Sequence, residues 1–393
     1  MHHSTMNFRP SASALCGLSL MVVLMACGSC NQDALVKRSQ MDASRSSGER
    51  TSLKSSAGAV AGYPPLVLSI EPWDPPVDVG PEGQLVTTPH YLLHSTLEDG
   101  WLSEKIPAFL ETALLHYRTA ITDLPVPNEP LKTYVLGERR QWQAFTRMIL
   151  PGESGLYLSL GKGGYTTEGL AVLYDIGRWD TLCITAHEGW HQYCQNNFKE
   201  LLPAWIDEGI ATYMEGCRFD RSSDVATFLP WRNFERFNEL RNCYRRGMMY
   251  PLFDLISRSP QYFLEQGQEH LLSYYAQVWV LTQYLMEGEG GRYRPGLERM
   301  LQDAQNGTLG RTLLESPRLE EIPRRRRTSR AMRGLAVAMV YFDTTIEDLE
   351  TGYRDFIELV VARGSGSSIW RGRSPVPQPE KPEPAKPDTS SQD

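Results

Sequence analysis

An excess of positive charge is the first thing this chain lacks: 40 lysines and arginines face 47 aspartates and glutamates, a net charge of −7 over 393 residues. That balance excludes a protein that holds nucleic acid by neutralising phosphates across its whole surface. Long hydrophobic runs are missing too. Beyond the N-terminus no stretch approaches the roughly 18 uncharged apolar residues of a membrane helix, which excludes a multi-span membrane protein. Internal repeats are absent, and cysteine is sparse, with seven in all. Of these, Cys183, Cys194, Cys217 and Cys243 lie in the body of the chain; they allow about three disulfide connectivities and are equally compatible with reduced, buried thiols. What the chain has in quantity is apolar and aromatic side chain, 41% and 10%. That is the composition of a folded protein with one large domain or two smaller ones.

The one sustained apolar run, Ala14 to Ala26, follows Arg9 and has the length of a secretory signal rather than of a membrane span. It closes on Leu24-Met25-Ala26-Cys27, which resembles the lipobox of bacterial lipoproteins. The resemblance implies that 1–26 is removed, that Cys27 is lipidated, and that the mature chain is an exported lipoprotein on the periplasmic or cell-surface side. Gly28, in place of Asp, favours anchoring in the outer membrane. From Asn31 to about Gly62 the sequence is rich in Ser, Lys and Arg, which suits a flexible tether. Pro64, Pro65, Pro72, Pro75, Pro76 and Pro81 extend it as a lead-in to about residue 87.

Regular structure is expected from about His90. Strands are expected at His90–His94, Leu131–Leu136 and Leu170–Tyr174, and a helix over Leu102–Ile121. Helical periodicity then dominates at 181–198, 203–215, 268–286, 292–303 and 345–362. The fold class is therefore α+β, with a small mixed sheet in the N-terminal half and a mainly helical C-terminal half, spanning 88–363. Six prolines from Pro375 to Pro387 mark 364–393 as a disordered tail.

The strongest chemical signal is His187-Glu188-Gly189-Trp190-His191, an H-E-x-x-H match. On a helix, positions four apart project from one face, so the two imidazoles converge on one metal ion while Glu188 stands beside its open position. Asp180 or Thr181 is placed to cap that helix. Gly189, costly inside a helix by about 1 kcal/mol, implies a close-packed partner. A catalytic zinc needs a third protein ligand. Pro203-Ala204-Trp205-Ile206-Asp207-Glu208-Gly209-Ile210-Ala211 opens a second helix in which Glu208 follows His191 after sixteen residues. Glu208 is the chosen ligand, helped by the small Gly209 and Ala211 that permit close helix approach; Glu215 competes with it, and Asp207 points elsewhere on the helix.

H-E-x-x-H followed by Pro-x-Trp-x-x-Glu-Gly-x-Ala resembles the gluzincin zinc metallopeptidases, in particular the peptidase-MA-like group of exported proteins. The resemblance implies a thermolysin-like zincin fold, His187, His191 and Glu208 as zinc ligands, and Glu188 as general base for attack of a zinc-activated water on a peptide bond. Similar proteins carry a Tyr on a later helix that donates to the tetrahedral intermediate. The segment Tyr274-Tyr275-Ala276-Gln277-Val278-Trp279 makes Tyr275 that candidate, although its helical spacing with Leu271, Val278, Thr282 and Leu285 also suits plain core. Two other readings remain open: a cell-surface binding lipoprotein that keeps the fold without turnover, and a zinc amidase acting on cell-wall cross-links.

Four further features have uses to be weighed. Leu170–Tyr174, after Gly161-Lys162-Gly163-Gly164, is a candidate edge on which a peptide substrate lies. Cys183 and Cys194 sit too far along the helix to share the ion and are read as packing or disulfide residues. His270 is a lone histidine near the Tyr275 segment. Arg324-Arg325-Arg326-Arg327, with Arg330 and Arg333, reads as a basic, solvated loop.

Overall fold

The computed structural model describes residues 66–158, 163–219, 225–322 and 330–377. Six strands form one mixed sheet: β1 (Ser69–Trp73), β2 (Gly83–Thr87), β3 (Tyr91–Ser95), β4 (Leu131–Leu136), β5 (Gly164–Thr167) and β6 (Leu170–Tyr174), in the order β1-β2-β3-β4-β6-β5. β4 runs parallel to both β3 and β6, and the remaining pairs are antiparallel. Between the strands lie α1 (Gly100–Thr119), α2 (Arg139–Ile149) and the short α3 (Ser154–Leu158).

The period-two alternation of β4 and β6 assigns their side chains to two cores. Leu131, Val135, Ala171 and Leu173 join α1 and α4 (Arg178–Asn197) in the main cluster. Leu136, Val172 and Tyr174 point the other way, to Trp142 and Phe145 of α2 and to Tyr157 and Tyr165. The sheet is thereby buried on both faces at β4 and β6, while β1 at its far edge buries no side chain fully.

The β5–β6 turn is a two-residue hairpin in which Glu168 and Gly169 both have positive φ, 49° and 76°, as tight primed turns require. Three side chains of α4 hold it. Gly169 N–H donates to Gln195 Oε1 at 2.9 Å, and Gly169 O accepts from Gln192 Nε2 at 3.1 Å and from Asn196 Nδ2 at 3.0 Å. Gln192 Nε2 also reaches Lys132 O on β4 at 2.7 Å. The strand nearest the H-E-x-x-H helix is thereby pinned to it.

The second half is helical: α5 (Ala204–Met214), α6 (Phe234–Arg246), α7 (Leu252–Ser257), α8 (Pro260–Gln266), α9 (Gln268–Glu287), α10 (Arg294–Asn306), α11 (Leu309–Glu315), α12 (Arg330–Phe342), α13 (Ile346–Val361) and α14 (Ser365–Trp370). A two-stranded ribbon, β7 (Cys217–Phe219) with β8 (Ala226–Phe228), interrupts it. Every residue of α9 from Leu271 to Met286 is buried, so this helix is the axis on which α5 and α6 pack. Gly209 permits the close approach of α5, because a Cβ there would overlap Thr282 Oγ1 of α9. The α+β class holds, as do the five helices expected after residue 180, to within three residues at each end.

Four expectations are corrected. Among the described residues regular structure starts at Ser69, so β1 and β2 lie within the expected Pro-rich lead-in, where the prolines conceal them. β6 is not the sheet edge, because β5 pairs along its outer side and takes that place. The first residues after Gly364 are α14, which buries Ile369 and sets Trp370 edge-on to Phe234 at 5.5 Å, so the folded body continues past 363. The helix of the H-E-x-x-H motif begins at Arg178 with Gly177 as its cap, while the Thr181 hydroxyl serves Ile176 N and Asp175 instead. The proposed signal, Cys27, the tether up to residue 65, Arg324–Arg327 and the tail from 378 lie outside the described residues. No described helix is long and apolar enough to cross a membrane.

Candidate metal centre

The first two groups of the centre come from one face of α4, as the spacing of the motif requires. His187 and His191 have ring centroids 5.1 Å apart, and Glu208 arrives from α5. One ligand atom from each of the three residues lies within 4.8 Å of the others, and all three are buried. His187 Nε2 is 3.6 Å from Glu208 Oε2. These atoms fit a cation on an observation independent of any family. His187 Nε2, His191 Nε2, Glu208 Oε2 and Glu188 Oε1 are buried and have no hydrogen-bond partner, a costly state for polar groups unless something else satisfies them. Two imidazoles and a carboxyl group form the donor set of a catalytic zinc site.

The close-packed partner implied by Gly189 is Tyr117 of α1. A Cβ at 189 would overlap its hydroxyl, which instead donates to Ala186 O at 2.8 Å. Glu188 meets β5: the Thr166 hydroxyl lies 2.8 Å from Glu188 Oε2 and 2.9 Å from Glu188 O. One carboxylate oxygen is thus held and the other left free. Burial pushes the Glu188 carboxyl up to about 7, against the pull of His191 and Thr166. Burial, with Asp207 and Glu188 nearby, also holds Glu208 well above the usual carboxylate range. A cation between them would remove that mutual repulsion.

The histidines are each approached from behind by a carboxylate. His187 Nδ1 is 2.8 Å from Glu215 Oε1. Burial alone would raise the Glu215 carboxyl, but Arg236 and His187 outweigh it and bring it down to about 2. An ionised carboxylate only accepts, so His187 carries its proton on Nδ1 and presents a bare Nε2. Burial lowers that imidazole to about 4, consistent with a neutral ring. Glu215 is therefore an orienting group and not the competing ligand. Asp207, expected to point elsewhere, places Oδ2 3.1 Å from His191 Nδ1, off hydrogen-bond alignment, and accepts from Trp190 Nε1 at 3.0 Å through Oδ1.

Tyr275 stands beside the centre on α9. Its ring meets His187 edge-on at 6.1 Å, and its buried hydroxyl has no hydrogen-bond partner. The remaining candidates are elsewhere engaged. His270 Nδ1 is bonded to the Tyr250 hydroxyl at 2.5 Å. Cys183, Cys194, Cys217 and Cys243 are all free thiols, and Cys183 Sγ faces Glu215 O at 3.7 Å. Sequence reasoning missed Thr166, Asn233 and Arg236, and the orienting roles of Asp207 and Glu215. Only the last two carried any signal, as acids flanking the proposed ligand. No protein-family model matches the chain, and no curated protein matches it.

Proposed function

We propose that the chain is a zinc-dependent metallopeptidase of the gluzincin type, with a thermolysin-like zincin fold. The observation that carries the reading is the buried group of His187, His191 and Glu208, whose facing atoms have no protein partner, with the free oxygen of Glu188 on the same helix face. Zinc, when bound, would supply a Lewis acid that acidifies water and polarises a carbonyl. Glu188 takes the proton of the attacking water and returns it to the leaving amine. Thr166 fixes Oε2, so that Oε1 is the oxygen that works. The partnerless Tyr275 hydroxyl is a donor for the developing oxyanion. Export and anchoring through Cys27 remain part of the proposal on the sequence alone.

The test is metal content and peptide hydrolysis of the wild-type chain beside Glu208→Ala. One zinc per chain, lost or weakened in the variant together with hydrolysis of a mixed peptide library, is the expected result. A folded wild type that takes up no zinc would overturn the reading. A second reading, a protein that holds the metal without turnover, is favoured by the enclosure of the centre: His187, Glu188, His191, Glu208 and Tyr275 are each 2% exposed or less. It predicts zinc uptake with no hydrolysis of any peptide.

A further inference from the structure

Arg236 is a charged side chain in a place with almost no water to solvate it: it lies 1% exposed on the first turn of α6. Its guanidinium grips Glu215 with two prongs, Nη2 to Oε1 at 2.8 Å and Nε to Oε2 at 3.1 Å. The same guanidinium lies over the ring of Tyr275, 5.2 Å from its centre. Glu215 directs its remaining lone pairs at His187 Nδ1, 2.8 Å away, and at Asn233 Nδ2, 2.6 Å away. Asn233 in turn caps α6 through Oδ1 on Arg236 N and donates to Thr212 O of α5. The four acceptor positions of the carboxylate are filled, so it cannot turn.

A buried ion pair is a poor device for stability, because desolvation offsets most of its attraction and two apolar side chains would hold the helices as well. What an apolar pair cannot do is keep an imidazole in one tautomer and one ring orientation. A two-pronged arginine–carboxylate contact does that, since it fixes the plane of the acid as well as its place. None of these bonds involves His191, which has Asp207 beside it instead.

Resting on the zinc-site reading above, we infer that Arg236 is a positioning residue for that site, orienting His187 through Glu215 and the Tyr275 ring directly. One side chain on α6 thus sets the relation between the metal-binding face of α4 and the hydroxyl donor of α9. Glu215 variants should therefore act chiefly on the metal ligand, and Arg236 variants directly on both the ligand and the donor.

The experiment measures zinc affinity of the full chain by competition with a chromophoric chelator, and the visible spectrum of the cobalt(II)-loaded protein. The variants are Arg236→Met, Arg236→Lys, Glu215→Gln and the Arg236→Met/Glu215→Gln pair, with Glu208→Ala as control. Zinc affinity is expected to fall about 10- to 100-fold in Arg236→Met and in Glu215→Gln, with a shifted cobalt spectrum and partial recovery in Arg236→Lys. The double variant should be no weaker than the worse single one, because both changes act through one His187 bond. If peptide turnover is present, Arg236→Met should lower kcat more than Glu215→Gln does, at similar KM. Unaltered zinc affinity and cobalt spectrum in folded variants would overturn the inference while Glu208→Ala still loses zinc; they would leave Arg236 a packing residue. Should Arg236→Met fail to fold, Arg236→Lys, which keeps the charge but not the fork, and Glu215→Gln decide in the same way. A wild type that binds no zinc overturns the metal-site reading first, and the positioning role with it.

Discussion

In the proposed reaction Glu188 separates metal holding from chemistry, because it is bonded to Thr166 and is not among the three converging ligand residues. Glu188→Gln should keep zinc at wild-type stoichiometry and lose about 10²- to 10⁴-fold in kcat; equal turnover in the variant would remove Glu188 from the reaction. Gly189 carries a purely steric demand. Gly189→Ala should displace Tyr117 and cost about 1–3 kcal/mol of unfolding free energy in urea, despite the better helix propensity of Ala. At this scale the centre was legible where one helix fixes the spacing, as for His187, Glu188 and His191, and on α5 once a third ligand was required. It was not legible where the partner comes from distant chain. A buried arginine reads as a surface residue, and a threonine on a four-residue strand reads as nothing in particular. Arg236 and Thr166 acquire meaning only when α6 and β5 are folded against α4.

Among the elements, the hairpin of β5 and β6 decides how Glu188 is framed. Its turn needs positive φ at residue 169, and a side chain there would press on Asn196. Gly169→Ala should therefore destabilise the chain by about 1–3 kcal/mol and increase hydrogen exchange at Thr166 and Thr167 more than at α9; uniform exchange across both would show that the hairpin is not separately held. The long helices were readable because apolar residues recur through them at helical spacing, even in α9, which is buried all round. α6 was not, since Phe234–Arg246 is mostly polar and buries only Arg236, Phe237, Leu240 and Cys243. β5 is too short for a strand pattern to emerge, and β1 contains Pro72, a residue that sequence reading assigns to loops.

For the molecule as a whole, protons and metal should act on stability in ways that can be separated. Burial lowers His116, stacked on Phe228 at 4.8 Å, to about 4 from its ordinary 6.5. The unfolded chain therefore takes up this proton near pH 6.5 while the folded chain resists until about 4. Its effect is nil above that window, and stability falls as pH drops from 6.5 towards 4. In the metal-free chain, where burial lowers His94 and His187 to about 4 as well, His116→Gln should remove only its own share of the pH dependence of the urea midpoint over this range; an unchanged slope would show that His116 is solvated. Zinc, by contrast, should raise stability at constant pH, by about 2.7 kcal/mol at a free concentration one hundred times its Kd, read as a higher thermal midpoint that EDTA reverses.

The enclosure of the centre also has a kinetic side. With the three ligand residues no more than 2% exposed, a chelator cannot reach an ion held between them until the protein opens. Stripping should then follow the chelator concentration only while the chelator is dilute and level off as it is raised. The plateau would be the opening rate of the protein itself, a clock that any peptide substrate of the proposed reaction must also obey.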